Sequence, residues 1–171
     1  MVKVGLLSDT HNFIDDAVLR HLEGCDEIWH CGDFGTAAIS DRLKQLAPLR
    51  GVYGNIDGYD IRSEFPEKLR FECEGLRVMM IHIGGYPTKY VPAVRQELAA
   101  KPTDLFISGH SHILKVIFDP AFKCLHINPG AAGIQGWHKV RTLVKLEIAS
   151  AKIAKCQVVE LAKHTGVQST G

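Results

Sequence analysis

The sequence predicts an α/β protein in which two sheets pack face to face with helices on the outside. Three observations predict it. Residues 3–57 alternate strand-like apolar runs with helical ones, the pattern of parallel βαβ units. Residues 115–161 hold two hairpin patterns and no helical one. The chain has 171 residues, 46% of them apolar and 23% charged, which suits one domain with a full-sized core.

Taken in order, "KVGLLSD" (3–9) is a short apolar run that turns polar, a first strand. "IDDAVLRHLEG" (14–24) sets Ile14, Val18, Leu19 and Leu22 at helical spacing before a terminal glycine. "EIWHCGD" (27–33) is a second strand, "AAISDRLKQLA" (37–47) a second helix stopped by Pro48, and "LRGVYGNID" (49–57) a third strand. "LRFECEGLRVMMIHI" (69–83) reads as two strands turning at Glu74-Gly75. "KYVPAVRQELAAK" (89–101) is a helix with Pro92 near its start, where proline is tolerated. "DLFISGH" (104–110) is a strand. "KVIFDPAFKCLHINPG" (115–130) and "RTLVKLEIASAKIAKCQVVEL" (141–161) are antiparallel hairpins, the second turning near Ala149-Ser150-Ala151. A single domain is expected over 1–163, with 164–171 a frayed tail.

Composition narrows the function. A formal net charge of +1 argues against a strong nucleic-acid footprint. No apolar run approaches the roughly 20 residues needed to cross a membrane. The start, "MVKVGLLSDTHN", turns polar too soon for a signal peptide. These readings place the protein in the cytoplasm. The five cysteines are odd in number and form no C-x-x-C, so neither a disulfide framework nor a zinc ribbon is expected. Cys31, inside "EIWHC", is expected to pack as a small hydrophobe.

The chemistry gathers at strand ends. The first strand ends in Asp9-Thr10-His11, the second in Gly32-Asp33, the third in Gly54-Asn55. "RVMMIHI" carries His82, and "LFISGHSH" supplies His110 and His112. In extended backbone, side chains two apart point the same way, so this last pair could grip one ion or two adjacent ions. Each piece alone reads as a turn or a chance pair. Together, and in order, they put a ligand at the C-terminal end of five strands, where open α/β sheets build their sites. His30 and His126 differ, since they lie inside apolar strands and are expected to be hydrogen-bonded core residues. His138 sits in a polar loop.

Seven ligands exceed what one ion with an open position needs. They suffice for two ions that share a carboxylate. Mixed oxygen and nitrogen donors suit Mn, Fe, Zn, Ni or Co better than Mg or Ca. Two metals about 3.5–4 Å apart are a recurrent device for phosphoester hydrolysis, because the pair lowers the pKa of a bridging water and offsets charge on the phosphate.

The series D-X-H, G-D, G-N, strand histidine and G-H-X-H resembles the signature of the calcineurin-like metallophosphoesterases, from residue 3 to the "NPG" at 128–130. The compact length resembles the small bacterial and archaeal phosphodiesterase branch. The resemblance implies a four-layer αββα sandwich of two mixed β-sheets flanked by helices. It implies a first metal on Asp9, His11 and His112, a second on Asn55, His82 and His110, and Asp33 bridging them. Asp33, Asn55 and His110 would then be catalytic. The implied activity is a phosphodiesterase that cleaves a small-molecule phosphoester by a metal-bridging hydroxide. Two divalent ions would serve, Mn first, with Ni, Zn, Fe or Co as alternatives. Two departures stand out. Many members read G-N-H-D/E where this chain reads "GNID", with Ile56 in the histidine's place, and His82 is followed by Ile83-Gly84-Gly85 instead of Gly-His. Asp57 is expected to play a supporting or turn role. The resemblance also reaches a retromer scaffold subunit that has lost key ligands, so a non-catalytic protein-binding scaffold is the alternative; the complete ligand set argues against it. Homo-oligomerisation stays open.

Overall fold

The computed structural model describes residues 1–163. The tail expected at 164–171 lies outside the described residues. The elements run β1 (Val2–Leu7), α1 (Asp16–Leu22), β2 (Glu27–His30), α2 (Ala37–Lys44), β3 (Leu49–Gly51), α3 (Tyr59–Arg62), β4 (Lys68–Cys73), β5 (Leu76–Ile81), α4 (Pro92–Ala100), β6 (Leu105–Ile107), β7 (Lys115–Asp119), β8 (Cys124–Asn128), β9 (Arg141–Ala149) and β10 (Lys152–Leu161). The strands form two five-stranded sheets, ordered β10-β9-β1-β2-β3 and β4-β5-β6-β8-β7. Both sheets are mixed. In the first, β1, β2 and β3 are parallel and the β9–β10 hairpin adds antiparallel to β1; in the second, β5, β6 and β8 are parallel between antiparallel β4 and β7.

The layers follow from strand alternation. Val4, Leu6, Trp29, Val144 and Leu146 of the first sheet pack with Val78, Met80, Leu105 and Ile127 of the second. The other face of the first sheet, with Leu7 and Ile28, packs on Val18 and Leu22 of α1 and Ile39 and Leu43 of α2. The other face of the second, with Met79 and Phe106, packs on Val94 and Leu98 of α4. The result is the expected αββα sandwich.

Local chemistry sets the boundaries. Asp15 caps α1, its carboxylate accepting from Val18 N–H at 3.2 Å. The same carboxylate takes both guanidinium nitrogens of buried Arg141 at 2.9 Å, tying α1 to β9. Pro92 opens α4 at its first turn. The one element absent from the sequence expectations is α3, a single turn within "DGYDIRSEF". The third strand is also shorter than expected, and residues 52–57 leave the sheet to form the Asn55 turn.

Candidate metal centre

The strand ends that carry the candidate ligands are bound to one another by backbone. Asp9, His11 and Asn12 donate their N–H groups to Gly32 O, Asp33 O and Phe34 O at 3.0, 3.0 and 2.8 Å. Buried His30 locks this join. Its Nδ1 accepts from Gly32 N–H at 3.1 Å, its Nε2–H donates to Thr10 Oγ1 at 3.0 Å, and the Thr10 hydroxyl donates to Phe34 O at 3.0 Å. Burial pushes its pKa down to about 3, so the ring stays a neutral strut.

Two ligand groups result. Asp9, His11 and His112 form one, and Asp33, His82 and His110 the other, with the ligand atoms of each group within 4.8 Å of one another. Asp9 Oδ1 lies 3.2 Å from His112 Nε2 and 3.7 Å from His11 Nε2. Asn55 joins the second group, its Oδ1 lying 3.1 Å from His82 Nε2 and 3.0 Å from His110 Nδ1. Asp33 Oδ2 faces both groups, 3.4 Å from His11 Nε2 and 3.2 Å from His82 Nε2.

The donor set fits cations. Asp9 Oδ1 and His11 Nε2 are both buried with no hydrogen-bond partner, and they face the same space. Such orphaned atoms are rare unless an ion or water serves them. His82 Nδ1–H donates to Cys31 O at 2.7 Å, which turns the Nε2 lone pair toward the carboxylate of Asp33 and the amide oxygen of Asn55. That backbone bond is the usual device for orienting a metal-binding imidazole. The electrostatics of the site show the same demand for positive charge. Burial raises the Asp9 carboxyl, but His11, His112 and His82 outweigh it and hold the pKa well below the usual range. Burial likewise opposes ionisation of Asp33 and loses to His82. His11 is raised by the Asp9 carboxylate beside it; His82, disfavoured as a cation by burial, is raised on balance by Asp33 and Asp9. Without metal, protons on these rings serve as the cations, and metal binding would release them.

Five of the seven candidate ligands sit in left-handed backbone: Asp9 (φ +54°), His11 (+45°), Asp33 (+57°), His110 (+70°) and His112 (+60°). This revises the picture of His110 and His112 as neighbours in extended chain. They occupy a tight turn and serve different groups, so the pair addresses two adjacent sites. Glycines of one motif make room for the ligand of another. A Cβ at Gly32 would meet the His82 ring at 2.6 Å, one at Gly54 would meet Asp33 Oδ1 at 2.0 Å, and one at Gly109 would meet Asp9 Oδ2 at 2.9 Å.

Three further residues hold the ligands in place. Asp57 is buried, and its carboxylate accepts from the N–H groups of Phe34, Gly35 and Gly54 at 3.2, 3.0 and 2.8 Å. It therefore clamps the Asp33 loop to the Asn55 turn, a stronger form of the supporting role expected for it. Asn128, of the "NPG", donates from Nδ2 to Gly109 O and Ser111 Oγ at 3.0 and 3.1 Å and so shapes the His110–His112 turn. Ser8 Oγ–H donates to Asp9 Oδ2 at 2.7 Å. Neither Ser8 nor Asn128 has a role in the sequence reading, although the "NPG" at 128–130 belongs to the family match.

His138 Nε2–H donates to Gly133 O at 2.8 Å, and its ring packs edge-on against His112 at 5.2 Å. It steadies a ligand. His126 is in the core as expected, its Nδ1–H donating to Phe106 O at 3.2 Å, though its Nε2 has no partner. Cys31 is fully buried, and burial raises its pKa well above the usual thiol value, so it is packing and not chemistry.

With this geometry in hand, similarity to known proteins is informative. The family description "calcineurin-like phosphoesterase superfamily domain" matches residues 2–151. A probable metallophosphoesterase of Methanothermobacter thermautotrophicus is 37% identical over 117 residues, 64% of this chain and 66% of that protein, just under two thirds of its length. A crystal structure of Vps29 from Entamoeba histolytica complexed with zinc has a TM-score of 0.71 at 18% identity, covering 95% of this chain and 99% of that one. The structure of a novel archaeal phosphodiesterase has a TM-score of 0.70 at 23% identity, covering 93% and 99%. At these identities the two structures attest the fold alone.

Proposed function

The chain belongs to the calcineurin-like phosphoesterase superfamily, and from that premise we propose that it is a phosphodiesterase that works with two divalent metal ions. Asp9, His11 and His112 would hold one ion, and Asn55, His82 and His110 the other. The observation that carries the reading is Asp33, whose Oδ2 faces a histidine of each group at 3.4 and 3.2 Å, the placement of a carboxylate that two ions share. When bound, the ions would lower the pKa of water and offset charge on the phosphate. Mn is the first choice on donor type, with Zn, Ni, Fe and Co behind it.

The chain's own residues do the rest. His110 stands exposed at the lip of the site, its Nδ1 beside Asn55 Oδ1, where it can meet a phosphate oxygen. His11, His82 and Asp9 are recessed and serve to hold charge. Ile56, at the position where many relatives carry histidine, is 47% exposed and offers only its backbone N–H, which donates to Asp33 Oδ1 at 3.0 Å. Proton donation to the leaving group, commonly worth about 10²–10⁴-fold, has no side chain there. This favours diesters with good leaving groups, which also carry one charge less than monoesters. The archaeal phosphodiesterase of like fold agrees with that choice. Five free cysteines suit a reducing cytoplasm. No helix among the described residues is long and apolar enough to cross a membrane.

A scaffold is the second reading, and the zinc-complexed Vps29 bears on it, because metal binding alone does not separate enzyme from scaffold. Turnover does. Phosphomonoesters, phosphodiesters and cyclic nucleotides should be assayed with Mn, Ni, Zn and Mg, beside metal analysis. We expect close to two equivalents of metal and fastest turnover of aryl diesters. Two bound equivalents with no hydrolysis of any ester would favour the scaffold.

A further inference from the structure

Beside the ligand groups, a cleft of about 390 Å³ opens between the turn His110–Ile113 and the segment Gly136–His138. Small-molecule sites commonly begin near 300 Å³. Its outer wall is Trp137, which is fully exposed (101%), and Ile113 lines the same cleft at 58% exposed. An indole standing wholly in water gains nothing for folding, and tryptophan is enriched where proteins recognise partners. The segment that presents it is nonetheless held down. His138 Nε2–H donates to Gly133 O at 2.8 Å, and Lys163 Nζ donates to Gly136 O at 2.7 Å and His138 O at 2.5 Å. Gly136, at φ +121°, lies so close to His112 that a Cβ there would fall 2.4 Å from Nδ1. The backbone that carries Trp137 is thus held beside a candidate metal ligand.

The lining chemistry selects the occupant. Among the described residues no Asp, Glu, Lys or Arg lines the cleft; it offers an indole face, an aliphatic side chain, the Ser111 hydroxyl and the edges of histidines. That suits neither a second phosphate nor an ammonium group. It suits a flat neutral ring, which stacks on tryptophan whatever its hydrogen-bonding edge. We propose that this cleft binds a planar aromatic substituent of the phosphoester, a nucleobase or an aryl ring, stacked on Trp137 and backed by Ile113. The proposal deepens the phosphodiesterase reading and rests on it for the position of the phosphate.

Calorimetry on the Mn-loaded protein tests it without turnover. Adenosine 5′-phosphate, phenyl phosphate and glycerol phosphate share a phosphate and differ in the ring. We expect at least one aromatic ligand to bind roughly tenfold or more tighter than glycerol phosphate. The Trp137→Ala variant should lose that advantage while its affinity for glycerol phosphate stays unchanged, and Trp137→Phe should keep most of it. Preference for the nucleotide alone identifies a nucleobase site, and for phenyl phosphate alone an aryl site. Equal binding of all three ligands, no binding of any, or aromatic affinity unchanged in Trp137→Ala overturns the proposal. Because Trp137 is fully exposed, folding of the variants is checked simply by an unchanged melting temperature. Should no diester be hydrolysed while the aromatic preference persists, the catalytic reading fails and the cleft assignment stands.

Discussion

At one end of the sheets, the β4–β5 turn sets Glu74 and Gly75 at φ +50° and +82°, and the β9–β10 turn sets Ser150 and Ala151 at +50° and +59°. The two turns touch, Ala151 N–H donating to Glu74 O at 2.8 Å. At the other end, Asp9, His11, Asp33, His110 and His112 adopt the same left-handed backbone. A two-residue type I′ hairpin demands positive φ at both central residues, so the first set follows from strand pairing. No hairpin demands the second set. There, each non-glycine residue costs roughly 1 kcal/mol or more, and buried Asp9 Oδ1 and His11 Nε2 go without partners. Asp57, Asn128 and His30 hold that end in place with hydrogen bonds from behind. Similar backbone angles therefore mean a self-consistent turn at one end and strain held for a ligand at the other.

The contrast is tested hardest at Asp33. Asp33→Asn should lower kcat/KM on the order of 10³-fold, more than His11→Ala, because Asp33 faces both ligand groups and His11 belongs to one. In chelator-treated protein below about pH 6.5 the same variant should melt lower, since it removes the carboxylate whose charge favours the protonated forms of His82 and His11. Equal activity losses with both metals retained in both variants would break the bridging assignment. An unchanged or higher melting point of the metal-free variant there would break the claim that the ligand end is held for a cation.

Asp57→Ala comes next. It strips three backbone N–H groups of a charged acceptor, two of them at buried residues, and should cost about 3 kcal/mol or more of unfolding free energy. Activity should fall with it, because Asp33 and Asn55 lose their common clamp, yet saturating Mn should restore near-full metal content. A variant that is fully stable but inactive would instead make Asp57 a participant in the chemistry.

Titration separates strand interiors from strand ends. Burial holds His126 neutral, with its pKa pushed down to about 4, whereas an unfolded histidine protonates near 6.5. Its depressed pKa means the stability is fully present above pH 6.5 and is lost as pH falls toward 4, by up to about 3 kcal/mol. His11 and His82 are raised, so in metal-free protein they act oppositely, stabilising below pH 6.5 and losing that contribution as pH rises through their folded values. Urea midpoints at pH 7 and 4.5 should therefore fall less between the two pH values in His126→Gln than in the parent. Identical falls would mean that His126 takes up its proton in the native core.

Much of this contrast was legible in residue types. A histidine inside an apolar run, such as His30 or His126, belongs to the core; an Asp, Asn or His just past such a run belongs to the site. Hydrophobic period locates strand ends, and the chemistry follows from what stands there. Four things were not legible in residue types and hydrophobic period. The split of His110 and His112 between two groups, which the family resemblance implied, does not follow from the period, because it depends on left-handed backbone. The one-turn helix Tyr59–Arg62 is too short to show a period at all. The clamps at Asp57 and Asn128 join segments through side chain to backbone bonds, and a backbone N–H or carbonyl looks alike at every position. The pairing of β9 with β1 spans nearly the whole chain, and only the sheet itself shows that the last hairpin completes the first sheet.

The smallest expected effect lies at the turn end and checks whether the two ends are independent. Ala151, at φ +59°, carries a Cβ in a conformation that glycine adopts freely. Replacing it with glycine removes roughly 1–2 kcal/mol of steric cost and gives back about 0.4–1 kcal/mol to the freer unfolded chain. Ala151→Gly should therefore stabilise the protein by about 0.5–1 kcal/mol, read as a higher urea midpoint at unchanged slope. Metal content and kcat/KM should not move, because the ligands hang from the opposite ends of the strands. The same substitution at Asp9 would relieve similar backbone strain and remove a ligand, so strain and function should separate cleanly between the two variants. A change in turnover in Ala151→Gly, with metal content intact, would show that the turn end is coupled through the sheets to the site, and that the two ends do not answer to separate causes.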